Sequence, residues 1–123
     1  MEKIKTNKAP NAVGPYSQGI LVGNVLYTSG QIAIDPSTNK LVENNIESQA
    51  NQAFKNIKAI LEEANMDFNN VVKTTVFLKN INDFSVMNEI YEKYFISNPA
   101  RSCVEVANLP KNALIEIEVI AVK

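Results

Sequence analysis

The segment Leu114–Val122, with the sequence LIEIEVIAV, constrains the fold more than any other part of this chain of 123 residues. Its alternating pattern is typical of a β-strand, whose successive side chains point to opposite faces of a sheet. One face carries Ile115, Ile117, Val119 and Ala121, and the other carries Leu114, Ile120 and Val122 with Glu116 and Glu118 among them. Because both faces include apolar side chains, we expect both faces of the sheet to be covered.

Two amphipathic helices are predicted to provide one of these covers. The segments Ser48–Ala64 and Asp83–Phe95 both place apolar residues at intervals of three and four, which is the spacing of a helix with one apolar face. Either Asn82 or Asp83 is suited to cap the second helix.

The remaining strands are predicted from β-branched runs and turn residues. A hairpin is expected within Gly19–Ile32, with its turn at Gly23 and Asn24, and Asp35–Lys40 has the composition of a turn or loop. Further strands are expected at Val71–Lys79, with Val72, Thr74, Val76 and Leu78 on one face, and at Ser102–Ala107.

The order of strands, helix, strand, helix and strands predicts an α+β fold in a single domain, residues 1–123. We expect a two-layer sandwich, in which a mixed sheet of five to six strands carries both helices on one face. Two helices cover only that face, so the apolar residues on the other face predict that another subunit covers it.

The composition excludes several kinds of site. With no histidine and one cysteine, the chain has no Ser–His or Cys–His relay, and we expect no metal site. Its 12 basic and 13 acidic residues form no basic stripe, which argues against a nucleic-acid partner. No apolar run suits a transmembrane helix or a signal peptide, so we expect a cytoplasmic protein without a membrane partner. No glycine-rich phosphate loop is present, and we expect no cofactor.

The segment Asn98–Val106, NPARSCVEV, places an arginine at the start of a strand. If its valines face the helices, Arg101 and Cys103 point toward the face that another subunit covers. The guanidinium then needs an anionic partner, either Glu116 in a structural salt bridge or the carboxylate of a ligand. No imidazole is present to activate Cys103, so its backbone is a better candidate for ligand contact than its thiol.

Three further positions are candidates for less specific reasons. Tyr16 follows a Gly-Pro pair and is expected to close a turn over the core, while Ser29 and Gly30 end a strand where a glycine indicates a bulge or a close backbone approach. Glu116 and Glu118 form an exposed pair unless a second subunit buries one of them, which would raise its pKa toward the range of a general base.

The segments GPYSQG, YTSGQI, VVKTTVFLKNINDFSVMNEIY, PARSCVEV and IEIEVIAV together resemble the RidA/YjgF family. The resemblance runs from about Ala9 to Val122, and Asn98 stands where the family usually carries an aromatic residue. It implies a chorismate-mutase-like fold and a homotrimer with clefts between subunits, and it implies hydrolysis of 2-iminobutanoate and 2-iminopropanoate to 2-keto acids and ammonia.

The resemblance also implies roles for the candidate residues. Arg101 corresponds to the carboxylate-binding arginine, Glu116 to the water-positioning glutamate and Cys103 to the cysteine of the motif. Tyr16, Ser29 and Gly30 correspond to residues beside the ligand. Two alternatives stay open, namely an endoribonuclease that inhibits translation and a non-catalytic binder of small carboxylates; Arg101 alone suits binding, whereas both charged residues together suit hydrolysis.

Overall fold

The computed structural model describes all 123 residues, which form a six-stranded sheet, a two-stranded ribbon and two α-helices. The elements are β1 (Glu2–Ile4), β2 (Gly19–Val22), β3 (Val25–Thr28), β4 (Ile34–Asp35), β5 (Lys40–Leu41), α1 (Ile46–Glu63), β6 (Val71–Leu78), α2 (Phe84–Tyr94), β7 (Ala100–Glu105) and β8 (Ile115–Val122). The sheet order is β1-β2-β3-β8-β6-β7, with β6 and β7 parallel and all other pairs antiparallel. The predicted α+β fold with a mixed sheet is confirmed.

Both helices begin and end close to the predicted residues. Helix α1 starts two residues earlier than expected, because the Asn45 side chain caps it by accepting a hydrogen bond of 2.8 Å from the Ser48 amide. Asp83 is the N-cap of α2, but its side chain makes no capping hydrogen bond. The predicted turn at Gly23 is also present, and this glycine has a φ of 59° that favours glycine.

The core lies between the helices and one face of the sheet. Ile115, Ile117, Val119 and Ala121 of β8 are all buried there, as the alternation of this strand predicts. Phe54 of α1 is fully buried and packs edge to face against Tyr91, Tyr94 and Phe95 of the second helical segment. Burial of these aromatic rings is a large part of the hydrophobic stabilisation of the two-layer arrangement.

The predicted alternation of β6 is wrong at its first residues. The register of β6 against β8 shifts between Val71 and Lys73, so Val71 rather than Val72 is buried. Such a β-bulge adds one residue to a strand and reverses the faces before it. Thr74, Val76 and Leu78 are buried on the helix side as expected, whereas Val72 is 47% exposed.

The predicted orientation of β7 is also wrong. Arg101 and Cys103 pair with Thr74 and Val76 of β6, whose side chains are buried under the helices. Val104 lies on the opposite face and is 46% exposed, so the valines do not look toward the helices. The side chains of β7 do alternate between the two faces, but Arg101 and Cys103 are the ones that point to the helix side.

The second face of the sheet is open within the chain. Val22, Tyr27 and Val104, which lie on three of its strands, are each about half exposed. Glu116 and Glu118 share this face with Ile120 and Val122 of β8. Neither helix has the length and apolar content that a bilayer crossing requires.

Candidate active site

A cleft of about 500 Å³ lies at the end of the sheet where the loop after β3 meets β8. Its lining includes four of the six candidate residues, Tyr16, Ser29, Gly30 and Glu116. The other lining residues are Pro10, Asn11, Val13, Gln18, Gln31, Ile32, Ile34, Pro110 and Lys111. The cleft therefore combines one carboxylate, one hydroxyl, one phenol and one ammonium group.

Gly30 lies directly against the Glu116 carboxyl group. An added Cβ at position 30 would stand 2.7 Å from Glu116 Cδ, which is closer than any ordinary contact. The approach is held by Gln31, whose amide donates to the Ile117 carbonyl at 2.7 Å and whose carbonyl accepts from the Ile117 amide at 3.1 Å. The predicted close backbone approach at this glycine is thus present, and its partner is the glutamate.

Ser29 and Tyr16 are each positioned by a hydrogen bond, Ser29 to the neighbouring loop and Tyr16 within its own loop. The Ser29 hydroxyl donates to the Ser17 carbonyl at 2.5 Å, which leaves its oxygen lone pairs available to accept from a ligand. Tyr16 is 52% exposed, and its hydroxyl accepts from the Val13 amide at 3.4 Å. Its ring is therefore a wall of the cleft rather than a lid on the core.

The buried amide of Gln18 holds the N-terminal segment that forms the cleft rim. Its Oε1 accepts from the Thr6 amide at 2.7 Å, and its Nε2 donates to the carbonyls of Thr6, Ala9 and Pro10. A fully bonded amide at 3% exposure fixes the path of the chain from residue 6 to residue 10. This role gives the segment that carries Tyr16 a rigid start.

Glu116 is the carboxylate of the cleft, and its pKa is raised. Burial raises its pKa above the ordinary value for a glutamate, and the neighbouring Glu118 carboxylate raises it further. Both causes act within the single chain, because Glu116 is half-buried while Glu118 remains exposed on the same face. A carboxylate with a raised pKa is a stronger base than an ordinary one, which suits proton transfer.

Arg101 lies on the other side of the sheet, against helix α2. Its Nη1 donates to Asn88 Oδ1 at 2.7 Å, and its Cζ lies 4.7 Å from the ring centre of Tyr91 and 5.4 Å from that of Phe84. The first of the two alternatives for its partner, a structural salt bridge with Glu116 of the same chain, is wrong, because the two side chains lie on opposite faces and β6 separates their strands.

Cys103 follows Arg101 on the same face and packs against the core. Burial raises the pKa of its thiol, and the positive charge of Arg101 only partly opposes this effect. The thiol therefore stays protonated near neutral pH and is a poor nucleophile.

Two of the polar residues that the sequence did not single out belong to these two sites. Asn88 lies four residues after Phe84 and three before Tyr91, so it is a polar residue within the apolar stripe of α2. That position was the signal that could have revealed it. Lys111 lines the cleft with a φ of 57°, a left-handed conformation that no sequence pattern of the linker NLPKN predicted.

Comparison with known proteins assigns the chain to a family. The sequence model described as Endoribonuclease L-PSP matches residues 6–123. The human protein named 2-iminobutanoate/2-iminopropanoate deaminase is 54% identical over 121 residues, which cover 98% of this chain and 88% of that protein. The chain belongs to the RidA/YjgF family. The expected family membership is confirmed.

Solved structures of the RidA/YjgF family have the same fold. The crystal structure of the YjgF gene product from E. coli superposes with a TM-score of 0.95 at 47% identity, covering 100% of this chain and 99% of that one. The structure of E. coli TdcF with bound serine superposes with a TM-score of 0.96 at 41% identity, with the same coverage of both chains. Such similarity over the whole chain shows that these proteins share its overall fold.

Proposed function

We propose that the protein hydrolyses small 2-imino acids, with 2-iminobutanoate and 2-iminopropanoate as substrates, to 2-keto acids and ammonia. The observation that carries the proposal is Glu116, a carboxylate with a raised pKa in the cleft that Ser29 and Tyr16 also line. Hydrolysis of an imine needs a base for water and a binding group for the substrate, but no metal or cofactor. The name of the human relative supports this reaction.

Recognition of the substrate carboxylate is assigned to Arg101. Its hydrogen bond within the chain goes to a neutral amide, so the guanidinium has no negative partner there and keeps most of its N–H donors free. Two parallel bonds to a carboxylate are the strongest contact that this group makes. The relative crystallised with serine binds a molecule that carries the same carboxylate.

A complete site requires a second copy of the chain, because Arg101 and Glu116 lie on opposite faces of one sheet. The open face exposes Val104 and Tyr27, and β7 is an edge strand whose outer backbone groups have no partner in the chain. We assign both features to contacts in a homotrimer. The Arg101 of one subunit then reaches the Glu116 cleft of its neighbour, with the backbone at Cys103 beside the imine nitrogen.

Glu116 carries one proton in each of two steps. It first accepts a proton from water while the water oxygen bonds to the C=N carbon, and it delivers that proton to nitrogen to give a carbinolamine. It next accepts the carbinolamine hydroxyl proton and transfers it to nitrogen as the C–N bond breaks, which releases ammonia and the keto acid. Arg101 fixes the carboxylate throughout and so orients the carbon for attack.

The single free cysteine suits a reducing, cytoplasmic setting.

The test follows release of 2-ketobutyrate from 2-iminobutanoate, which a threonine dehydratase generates in the same solution, with semicarbazide to trap the remaining imine. We expect the wild type to accelerate release above the rate in water. Glu116→Ala should lower turnover by about 100-fold while sparing affinity for 2-ketobutyrate. Arg101→Ala should lower kcat/KM by about 100-fold, since two charge-assisted bonds contribute at least about 3 kcal/mol. Glu92→Ala, at an exposed position on α2, is the control.

The opposite results identify the alternatives. Loss of both turnover and affinity in Glu116→Ala would contradict a hydrolytic role and favour a simple carboxylate binder. If the wild type leaves the imine unaffected but cleaves single-stranded RNA, the endoribonuclease description of the family applies instead. A monomeric mass in solution by light scattering would contradict the shared site.

A further inference from the structure

Arg101 is the only arginine of the chain, and three residues of helix α2 hold its guanidinium. Asn88 accepts its hydrogen bond at 2.7 Å, and the rings of Phe84 and Tyr91 lie within cation–π distance of Cζ. The three residues follow one another at spacings of four and three, so they project from one face of the helix. We call them the arginine seat.

The chemistry of the seat leaves the positive charge of the guanidinium without a negative partner in the chain. A carboxylate in place of Asn88 would form an ion pair with Arg101 and compete with any incoming anion. The amide of Asn88 instead occupies one of the five N–H donors without supplying negative charge. The rings restrict where the guanidinium can lie while leaving its remaining donors free for a planar partner.

The seat is anchored to the core behind it. The Tyr91 hydroxyl shares a buried hydrogen bond of 2.8 Å with Thr74 Oγ1, and its ring stacks on Phe95 at 4.4 Å between centroids. Thr74 is also the residue that pairs with Arg101 across β6 and β7. Backbone and side chain of the arginine are therefore located by the same buried group, which pre-organises the guanidinium before any ligand binds.

We propose that Asn88 is a positioning residue for substrate binding, which holds Arg101 on the rings of Phe84 and Tyr91 and keeps it unpaired for a substrate carboxylate. The inference rests on the proposed function for its substrate, but it concerns carboxylate binding and is separable from turnover. Asn88 touches Arg101 rather than the reacting atoms, so its effect belongs in KM and in ligand affinity.

The decisive variant is Asn88→Asp, which has nearly the same shape and keeps an oxygen acceptor. A purely structural asparagine would tolerate this change, because an aspartate bonds to arginine at least as well. The positioning role predicts the opposite, since the new carboxylate forms an ion pair with Arg101 and competes with the substrate carboxylate. We expect affinity for 2-ketobutyrate, measured by NMR titration, to fall by at least about tenfold, with the melting temperature unchanged or raised.

Two further variants complete the experiment. Asn88→Ala should raise KM for 2-iminobutanoate by about tenfold with kcat within about twofold of wild type, because one hydrogen bond that orients the guanidinium is lost. Asn51→Ala is the matched control, since Asn51 is a helical asparagine that accepts a hydrogen bond of 2.7 Å from the Tyr94 hydroxyl. It should cost stability without changing KM.

The possible results separate the two proposals. If Asn88→Asp binds 2-ketobutyrate and turns over the imine as wild type does, the positioning role is refuted even though the deaminase activity stands. If the wild type does not accelerate imine hydrolysis but the affinities for 2-ketobutyrate still rank wild type above Asn88→Ala and Asn88→Asp, the positioning role stands and the proposed reaction fails.

Discussion

Gly30→Ala tests whether the position of the Glu116 carboxyl group determines activity. The backbone at Gly30 is outside the left-handed region, so alanine adopts it without strain. The new Cβ would stand 2.7 Å from Glu116 Cδ, whereas ordinary contacts begin at 3.4 Å. The carboxyl group must therefore move by at least about 0.7 Å, the difference between these two distances, since its Oε2 lies nearer still.

A displacement of that size is large for a catalytic group. Misplacement by about 1 Å costs on the order of 100-fold in rate, so we expect turnover of 2-iminobutanoate to fall between roughly tenfold and 100-fold. Stability should change little, because the atoms that must move belong to the flexible, half-buried end of the Glu116 side chain. The assay is the initial rate of 2-ketobutyrate release, with the melting temperature recorded for each variant.

A double-mutant cycle with Glu116→Ala tests whether Gly30→Ala acts through the contact with this glutamate. In that background the group that Cβ would displace is absent, so adding Gly30→Ala should reduce the residual rate by no more than about twofold. If Gly30→Ala causes the same loss in both backgrounds, it acts through something other than the glutamate. In that case the contact between Gly30 and Glu116 is not the reason for the glycine.

Two other predictions follow from the site and its support. Burial and the Glu118 carboxylate raise the pKa of Glu116, so the basic carboxylate of Glu116 is lost as pH falls through that raised value. Glu118→Gln should lower the pKa of Glu116 and move the acid limb of the kcat/KM profile to lower pH. An acid limb that does not move would contradict the coupling between the two glutamates. Thr74→Val keeps the shape of a fully buried residue but leaves the Tyr91 hydroxyl without a hydrogen-bond partner. The free energy of unfolding, measured in urea, should therefore fall by about 1–3 kcal/mol. Tyr91→Phe in the same background removes the unpaired hydroxyl and should recover part of this loss.

The sequence predicts the helices and the central strand well because their signals are local. The apolar spacing of Ile46–Glu63 and the alternation of Ile115–Val122 each follow from the geometry of a single element. The turn at Gly23 is equally local, since a positive φ favours glycine whatever surrounds it. The family resemblance rests on several such motifs in order, and the comparisons confirm it.

The faces of β6 and β7 show where local signals are insufficient. One β-bulge between Val71 and Lys73 shifts the register, and a bulge adds no residue type that a pattern can reveal. In β7 the valines have the character of core residues, but it is Arg101 that lies under the helices. There its guanidinium contacts two aromatic rings and an amide. Which face of an edge strand is buried depends on the partners across the sheet rather than on the strand itself.

The class of fold therefore follows from local periodicity, the residue types available for chemistry follow from composition, and the family follows from the resemblance of several motifs in order. Tertiary structure alone decided that Gly30 meets Glu116 in one cleft and that Arg101 sits on the opposite face with Asn88. The physical reason is that these contacts join residues far apart in the chain, so their distances depend on sheet order, on register and on the packing of α2. The same geometry separates the two charged residues in one chain and makes a second copy necessary for the proposed reaction.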